Sequence, residues 1–579
     1  MFSRTMHSPR LLPLRMMPSI TRSYSLSLNT PRIPPYSFPP RRSTLEPPGA
    51  STASIGAPQV PFRPDLQEAE FWRELAPFRN ISRDDFLSWD WNRKNVVETW
   101  KTRQGLLEFF GAVVPDEVPR LTGIGGMQTR DEFCTDVVDG IKESTMSVRV
   151  MPLVLTRINW SDPANCPIFR QFIPLKSIMV DDHPQLELDS LHEQKDSPVK
   201  AIVHRYPDKA LFLPTSVCPT FCLFCTRSYG VGASTDSVHK VGFKLSRSRI
   251  DEAFEYIRSQ DQLRDVVVSG GDAYYLPNQY ELFGFAVSLL HPNAPYITPQ
   301  PPENNVLHSN STNMRDSRSV LKEIGDRLIS MKNIQRFRIA TKGLAVCPNR
   351  ILDDNDPWTQ TLLYIADKAR KANKHFAVHT HFNHPNEITW LTEKASRKLH
   401  QAGVTVRNQS VLLRGINDDV DTMSSLIQKL ASMNIQPYYV YQCDMVPKVE
   451  HVRTPLQTIL DLESQLRGTI AGFFSMFYSH IPISSKSSSS ALLYSYISRL
   501  IARCRNSSST CPGGGGKRLA CSYDSYDRET GVSTFRAPAL KKNGKEGKVY
   551  RYYDPLPPKP LPKPKSLPKR FFFDTRAYN

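Results

Sequence analysis

The stretch that decides the fold of this chain is ALFLPTSVCPTFCLFCTRSYG, residues 210 to 230. It opens with a short apolar run that ends at Val217 and predicts a β-strand. Three cysteines follow at once, Cys218, Cys222 and Cys225, in the order C-x3-C-x2-C, with Phe224 directly before the last. A strand that runs into such a closely spaced cysteine loop is typical of a metal-binding site.

The cysteine spacing favours one polynuclear cluster. Three thiolates in so short a loop can bind three irons of a [4Fe-4S] cube and leave the fourth iron open to the amino and carboxylate groups of a ligand. A structural zinc site is one alternative, but it needs four ligands, usually as two separated pairs, and the sequence has no second pair nearby. Three unrelated core thiols are the other alternative. Free thiolates also favour a reducing compartment over a disulfide framework for the ten cysteines of the chain.

Three flanking motifs extend the pattern: His204–Asp208 (HRYPD), Cys225–Arg227 (CTR) and Val268–Ala273 (VSGGDA). Together with the cysteine loop, they resemble the lysine 2,3-aminomutase family of radical S-adenosylmethionine (SAM) enzymes. The resemblance runs from about Phe71 to Leu466 and again around Lys517. It implies a [4Fe-4S] cluster, SAM and pyridoxal 5'-phosphate (PLP) as cofactors.

Strand-like runs alternate with helical stretches between His204 and Leu466. The candidate strands are 266–268, 337–340, 375–379, 405–412 and 437–441, and the candidate helices are 249–259 and 423–433. Such alternation predicts an α/β fold with a parallel sheet and helical crossovers. The resemblance narrows this to a partial (β/α)6 radical SAM barrel with a helical N-terminal lead-in and disordered termini. Functional groups are then expected at the carboxyl ends of the strands.

Changes in composition divide the chain into six segments. They are a leader with a Pro-rich linker (1–63), a helical N-terminal region (64–200), the barrel (201–466), a Ser-rich insert (467–510), the PLP-lysine segment with a C-terminal region (511–554) and a Pro/Lys-rich tail (555–579). The aromatic residues of the second segment are interpreted as core. A further insertion, 292–313, is expected to be a surface loop.

The two ends of the chain carry much of its net charge of +18. The first 45 residues contain seven arginines and no acid, are rich in serine and lack a continuous apolar core. This composition resembles a mitochondrial transit peptide and predicts the mitochondrial matrix, in a eukaryotic member of the family; a disordered basic tail on a cytoplasmic protein is the alternative. Because the excess charge is terminal, no nucleic-acid partner is predicted. No uninterrupted run of about 20 apolar residues predicts a membrane span.

A predicted strand ends at the SGGD motif, where the two glycines would open the backbone toward a cleft. Exposed backbone groups and the Asp272 carboxylate can bind the ammonium group of SAM. By the resemblance, a histidine and a glutamine from later strands line the same site; a second metal site among the histidines is the alternative. The predicted SAM-site residues are Ser269, Gly270, Gly271, Asp272, His381 and Gln409.

The run PGGGGK, residues 512 to 517, implies the PLP site. It is not a Walker A loop, because Cys511 and Arg518 stand where that loop needs Gly and Ser or Thr. In the family the lysine after the glycines carries PLP, so Lys517 is the expected attachment site. Arg205 is expected, by the same resemblance, to hold the PLP phosphate. A flexible glycine linker that ends in lysine is the alternative.

The resemblance also implies the substrate contacts. Arg227 corresponds to the arginine that clamps the substrate α-carboxylate, and Asp444 to an aspartate that pairs with the ε-ammonium of lysine. The expected reaction is the conversion of L-lysine to L-β-lysine, with a ferredoxin or flavodoxin as electron donor. A homo-oligomer is one option for the assembly, and the oligomeric state stays open. Alternatives are an aminomutase for protein-bound lysine or another amino acid, and a cluster-binding protein with impaired catalysis.

One region departs from the family pattern. Ala471 to Thr510 is a Ser-rich stretch where the family has a shorter link, and Thr510 stands where a second lysine-pairing aspartate is expected. A misread gene model explains both features, and the chain as written is then expected to be weakly active or inactive. The zinc-binding cysteines of the family also lack counterparts, with Asp419 at one expected ligand position, so no structural zinc is predicted.

Overall fold

The computed structural model describes residues 68–98, 103–240, 242, 246–277, 319–466, 507–511, 516–536 and 547–556, with the backbone alone at 103, 507–511 and 516–519. The predicted leader and linker (1–63) and the 292–313 insertion lie outside these ranges. So do most of the Ser-rich insert and nearly all of the tail. No helix within the described ranges is long and apolar enough to cross a bilayer.

The N-terminal region combines short helices with two small antiparallel strand pairs. Its α-helices are α1 Arg83–Leu87, α2 Trp89–Lys94, α3 Arg103–Val113, α4 Arg130–Glu143, α5 Pro152–Leu155 and α6 Phe169–Phe172. The strands are β1 Val97–Glu98, β2 Glu117–Pro119, β3 Met127–Thr129 and β4 Arg149–Val150, paired as β1 with β4 and β2 with β3. The sequence predicts the helices but not these strands, which are too short to show a periodic pattern.

Local sequence signals explain where these helices begin. Ser82 and Ser88 accept hydrogen bonds from the first-turn amides of α1 and α2, and Thr129 forms a capping box with Glu132 at the start of α4. The aromatic residues of this region are core, as predicted. The Trp72 ring, for example, is fully buried and stacks on Phe86 at 4.4 Å between ring centroids.

A nine-stranded sheet forms the centre of the molecule, and its strands stand side by side in the order in which they occur along the chain. Seven consecutive strands, β6 to β12, are parallel, and antiparallel strands flank them on both edges. The strands are β5 Ile202–Tyr206, β6 Lys209–Phe212, β7 Asp265–Val268, β8 Arg336–Ala340, β9 His375–Thr380, β10 Thr405–Leu412, β11 Ile435–Gln442, β12 Ser507–Cys511 and β13 Gly516–Leu519.

Helices connect most of the parallel strands. They are α7 Arg247–Ser259, α8 Val320–Ser330, α9 Gly343–Val346, α10 Asn349–Leu352, α11 Pro357–Lys371, α12 Trp390–Gln401, α13 Val420–Ser432 and α14 Leu456–Leu466. Three of these helices have a side-chain N-cap of this kind: α11 begins after Asp356, α12 after Thr389 and α13 after Asp419. Each of these side chains accepts a hydrogen bond from a backbone amide in the first turn. Asp419, which stands at an expected zinc-ligand position, is therefore the N-cap of α13 in this chain.

The predicted strands agree closely with those observed. Strand 405–412 has the predicted bounds, and the other four differ from the predictions by no more than two residues at either end. The apolar run ending at Val217 is the exception, because regular strand structure stops at Phe212. Residues 213–217 have no regular structure, and the carbonyls of Thr215 and Val217 accept hydrogen bonds from the loop after β7. The α/β fold with a mostly parallel sheet is thus confirmed.

A separate three-stranded antiparallel sheet lies near the C-terminus. It comprises β14 Ser525–Asp527, β15 Val532–Arg536 and β16 Val549–Tyr553. The buried Tyr552 donates its hydroxyl to the Thr454 carbonyl at 3.1 Å, and the Asp554 carboxylate accepts from the Leu456 amide at 2.8 Å. These contacts hold the small sheet against the start of α14.

Candidate functional site

A cavity of about 1020 Å³ opens at the centre of the main sheet, and we refer to it as the central cavity. Its lining includes residues from the loops that follow β6, β7, β8 and β9. Because the strands are parallel, these loops meet at one edge of the sheet, where functional groups of such folds collect. The sequence-predicted residues that line it are Arg205, Cys218, Cys222, Cys225, Arg227, Ser269, Gly270, Gly271, Asp272, His381 and Gln409.

The N-terminal region holds the cysteine loop in place. The Phe221 amide donates to the Arg149 carbonyl, and the Leu223 amide donates to the Gln171 carbonyl, both at 3.0 Å. Apolar side chains shield the thiols further: Phe221 packs beside Cys218 and Cys225, and Phe224 beside Cys222. The loop is thus a rigid element whose three thiols face one cavity.

Two glycines after β7 let the next loop approach the cysteine segment closely. The Gly271 amide donates to the Thr215 carbonyl at 2.5 Å, and the Asp272 amide donates to the Val217 carbonyl at 2.9 Å. Gly270 has a φ of +96°, and a Cβ at this position would lie 2.3 Å from the Thr215 oxygen. Only glycine fits there without displacing the backbone that leads into Cys218.

Burial makes the three thiols poor acids when no positive charge accompanies them. Desolvation raises the pKa of Cys218 and Cys225, and it raises that of Cys222 to about 12. Thiolates at these positions therefore need a strong local positive charge, which bound iron would supply. Such an environment suits ligands of a buried cluster better than exposed nucleophiles.

The size of the thiol arrangement also bears on what it can hold. Within the described residues, no three His, Cys, Asp or Glu side chains come close enough to bind a single metal ion. A lone zinc ion with bonds of about 2.3 Å would need its sulfurs about 4 Å apart. A four-iron cube is several Å wide and is bound by thiolates that stand farther apart. Three thiols that hold a cluster therefore need not lie within about 4 Å of one another.

The Asp272 carboxylate connects two strand ends. One of its oxygens accepts from the Tyr274 amide and the other from the Lys342 amide, each at 2.8 Å. Burial raises the pKa of Asp272 to about 6, although hydrogen bonds from Thr341 and these amides oppose the shift. Asp272 therefore ties the end of β7 to the end of β8, in addition to its predicted contact with SAM.

Arg227 is held by a buried carboxylate that sequence reasoning missed. Its Nε donates to Glu193 Oε2 at 2.8 Å and its Nη2 to Glu193 Oε1 at 2.9 Å, while Tyr229 donates to the same carboxylate at 3.0 Å. A further contact of 3.4 Å joins Nη1 to Ser269 Oγ. Glu193 thus occupies one side of the guanidinium, and the edge formed by Nη1 and Nη2 remains for a second carboxylate.

Arg205 is positioned in a similar way by the same segment of chain. Its Nε donates to Asp196 Oδ2 at 2.6 Å and its Nη2 to the Leu191 carbonyl at 2.5 Å. The segment Leu191–Asp196 therefore orients both arginines of the central cavity. No local sequence signal marks this role, because the segment has no regular structure and its acids stand nine and 34 residues from their partners.

Gln409 contacts a histidine that the sequence motifs did not single out. Gln409 Nε2 lies 2.6 Å from Nδ1 of His379, which also lines the central cavity. Burial lowers the pKa of His379 to about 2, and Arg338 and Arg407 contribute to the shift. The imidazole of His379 is therefore neutral. His381, two residues on, meets the Phe224 ring edge-on at 6.2 Å between centroids.

Two predicted residues stand apart from this group. Asp444 is buried but does not line the central cavity, and its carboxylate accepts a hydrogen bond from the Thr226 hydroxyl. Lys517 lies in β13, where its backbone pairs with that of Thr510 in β12. The side chains of Lys517 and Thr510 are outside the described part of the structure. The Ser-rich end of the insert thus forms a strand beside β11 despite its composition.

These features define a class, an α/β protein with a cysteine-lined central cavity, and comparisons with known proteins refine it. The chain is 32% identical over 403 residues to an L-lysine 2,3-aminomutase of Clostridium subterminale, which covers 69% of this chain and 77% of that protein. An L-lysine 2,3-aminomutase of Bacillus subtilis is 29% identical over 406 residues, or 69% of this chain and 68% of the relative. No family model matches the chain.

A relative with a different named substrate also matches. The glutamate 2,3-aminomutase of Clostridioides difficile is 30% identical over 304 residues, which is 52% of this chain and 58% of that protein. Together these relatives support an amino-acid 2,3-aminomutase, an isomerase. The chain belongs to the lysine 2,3-aminomutase family.

Proposed function

We propose that this protein converts L-lysine to L-β-lysine with a [4Fe-4S] cluster, SAM and PLP. The observation that carries the proposal is the convergence of three half-buried cysteines, the SGGD loop and two arginines on one cavity. These groups lie between residues 205 and 272, and the parallel pairing of β6 with β7 brings the cysteine loop and the SGGD loop to the same cavity. Family membership supports the same chemistry.

The residues present fit the proposed cofactors. Cys218, Cys222 and Cys225 would hold the cluster, the loop around Gly270 would contact SAM, and Lys517 would bear PLP. When bound, the cluster and SAM would supply a carbon radical that takes hydrogen from carbon 3 of the substrate, while PLP would hold the amino nitrogen as it moves from carbon 2 to carbon 3. The apolar side chains of Phe221 and Phe224 beside the thiols would help to exclude water from these reactive groups.

The sheet topology supports a partial radical SAM barrel. Seven parallel strands follow one another without a reversal of order, so right-handed crossovers would place the connecting helices on one face. If helices cover only one face of the sheet, the other face is shielded from water only when the sheet curves around it. Such curvature gives a partial barrel. The central cavity would then be the barrel interior, with β12 and β13 as additions beyond a six-stranded barrel.

Charge explains how the chain would bind an amino acid. Arg227 would present its Nη1 and Nη2 edge to the α-carboxylate, since Glu193 occupies the other side. Arg205 would neutralise the phosphate of PLP. Asp444 lies immediately behind Thr226, next to Arg227, so a small shift of the Thr226 hydroxyl would bring the carboxylate within reach of a substrate ammonium.

A second candidate substrate is an acidic amino acid, because the charged lining of the cavity has a cationic excess. Its seven cations are Arg205, Lys209, Arg227, Arg336, Arg338, Lys342 and Arg536, and its five acids are Glu193, Asp208, Asp265, Asp272 and Asp524. Two net positive charges, seven minus five, suit ligands with phosphate and carboxylate groups. The relative that is named a glutamate 2,3-aminomutase points the same way.

One anaerobic assay separates these activities. The reconstituted protein is given reductant, SAM and PLP together with free lysine, free glutamate or a lysine-bearing protein, and β-amino acid products are measured. Formation of β-lysine is the expected result, and Cys222→Ala should abolish both turnover and SAM cleavage. If only glutamate is turned over, glutamate replaces lysine as the proposed substrate. A complete cluster without any turnover would indicate a cluster-binding protein with impaired catalysis.

PLP attachment has its own test. Borohydride reduction followed by peptide mapping should place a pyridoxyl label on Lys517, and a label on another lysine would refute the assignment. If the insert results from a misread gene, the mature transcript will encode a shorter link with aspartate in place of Thr510. Full turnover by the chain as written would refute that interpretation.

The cellular setting of the enzyme is also a proposal. The arginine-rich leader supports import into the mitochondrial matrix, with cytoplasmic retention as the alternative. A ferredoxin or flavodoxin would deliver the electron. We propose no nucleic-acid or membrane partner.

A further inference from the structure

Lys240 is a buried cation beside the cysteine loop with an unusual set of neighbours. Its side chain is almost completely enclosed, and its ammonium donates to the Val231 carbonyl at 2.7 Å and contacts Met146 Sδ at 3.2 Å. Both partners are uncharged. Among the described residues, no carboxylate lies within salt-bridge distance of this ammonium.

The partners of Lys240 place it against two of the three cysteines. Met146 and Val231 form one hydrophobic cluster with Phe221, and Cys218 and Cys225 pack against that cluster. The ammonium therefore lies behind the face of the cysteine loop that carries these two thiols. Burial lowers the pKa of Lys240 to about 8, and the neighbouring thiolates of Cys225 and Cys218 oppose the shift.

Three other buried or half-buried cations around the cysteine loop differ from Lys240 in one respect. Arg149 is paired with Glu98, Arg227 with Glu193 and Lys342 with Glu387. Each of these charges is balanced by a carboxylate, whereas Lys240 has only a carbonyl and a thioether. A buried charge without a counter-charge is strongly unfavourable, so the balancing anion is expected in the adjacent space.

We propose that Lys240 is the electrostatic partner of the iron-sulfur cluster and raises its reduction potential. The inference rests on the proposed function, because it takes the cysteines to be cluster ligands. Reduction adds one electron to the cluster without making or breaking a bond and without a proton, so the cluster with its thiolates becomes more negative by one charge. A fixed ammonium in a low-dielectric interior stabilises that reduced form more than the oxidised form.

The test compares variants of the full chain, reconstituted anaerobically with iron and sulfide. Lys240→Met keeps the length of the stem and removes the charge, while Lys240→Arg keeps the charge. Lys374→Met is the control, because Lys374 is a half-buried lysine whose ammonium also donates to backbone carbonyls, those of Leu328 and Met331, but it stands at the amino-terminal end of β9. Iron content is measured first, and the cluster is then titrated with dithionite under spectroscopic monitoring to obtain its midpoint potential.

We expect Lys240→Met to shift the reduction equilibrium at least tenfold toward the oxidised cluster, which is a potential lower by about 59 mV for one electron. Lys240→Arg and Lys374→Met should match the wild type. If Lys240→Met loses the cluster while Lys240→Arg keeps it, the cluster needs a positive charge at position 240, and this result also supports the electrostatic pairing. An unchanged potential in Lys240→Met would overturn the inference, as would loss of the cluster in both Lys240 variants with retention in Lys374→Met. A wild-type protein that binds no cluster would instead refute the proposed function.

Discussion

Replacement of Gly270 by alanine tests how the loop after β7 positions the cysteine segment. Gly270 combines two features that a side chain would disturb. Its φ of +96° is rarely adopted by L-residues, and a Cβ would lie 2.3 Å from the Thr215 carbonyl oxygen. Because Thr215 is part of a rigid backbone rather than a flexible side chain, the clash must push apart the SGGD loop and the segment that leads into Cys218.

The expected cost has two contributions. A non-glycine residue in a sparsely populated backbone region costs about 1–3 kcal/mol. Forcing a methyl group into a closely packed site costs about 1–3 kcal/mol more. Gly270→Ala should therefore lower the free energy of unfolding by about 2–6 kcal/mol, a large part of the stability of an ordinary domain.

Two other glycines separate these contributions. Gly125 has a φ of +75° and nothing within 4 Å of its Cβ position, so Gly125→Ala reports backbone strain alone. Gly271 has no positive φ, but its Cβ would lie 2.5 Å from the Val217 oxygen, so Gly271→Ala reports the clash alone. The effect of Gly270→Ala should approach the sum of the two.

The assay measures urea unfolding by tryptophan fluorescence and iron content after anaerobic reconstitution. Gly270→Ala and Gly271→Ala should both lose stability and iron, whereas Gly125→Ala should lose only stability, because Gly125 lies in the turn between β2 and β3 and does not line the central cavity. The reasoning fails if Gly270→Ala is no less stable than Gly125→Ala. It also fails if both loop variants bind as much iron as the wild type.

Further predictions concern stability, pH and location. Asp356→Ala should reduce the free energy of unfolding by about 3–5 kcal/mol in urea titrations, because it leaves the buried Arg350 without its bidentate partner. Asp367→Ala, which removes a carboxylate paired with the exposed Arg370 and Lys371, serves as control and should change the free energy of unfolding little. Burial lowers the pKa of His384 to about 4, so the unfolded chain binds the extra proton first, and stability should fall by up to about 3 kcal/mol as the pH drops from about 6.5 to about 4. His384→Asn should flatten that dependence, and an unchanged slope would contradict it. A fluorescent fusion of residues 1–60 should enter mitochondria. If the fluorescence stays in the cytosol, the leader is not a mitochondrial transit peptide.

Much of the fold was accessible from the sequence because its strands and helices carry local signals. Strand 405–412 has the bounds that its sequence predicts, but its buried positions include the polar Asn408 and Ser410 as well as Val406 and Leu412. The cysteine, SGGD and HRYPD motifs were recognisable because each is short and contiguous. Parallel strands place their carboxyl ends together, so the meeting of these motifs at one cavity could be anticipated as well.

Other features of the site could not be predicted in this way. Glu193 and Lys240 carry no motif, and their importance depends on burial and on partners that are distant along the chain. The same holds for His379, whose neutral state results from desolvation and from arginines on neighbouring strands. The position of Asp444 behind Thr226, rather than in the cavity wall, depends on the path of the chain after β11, which no local pattern encodes.

The sequence by itself determined the family, the strand and helix pattern and the identity of the cysteine loop, because these depend on residue type and spacing within short segments. Only the tertiary structure decided which charges face the central cavity and which carboxylate neutralises each buried cation. The physical reason is that desolvation and Coulomb interactions act through space and change steeply over a few Å. Residues such as Glu193 and Arg227 therefore acquire their roles only when the packed sheet brings them together.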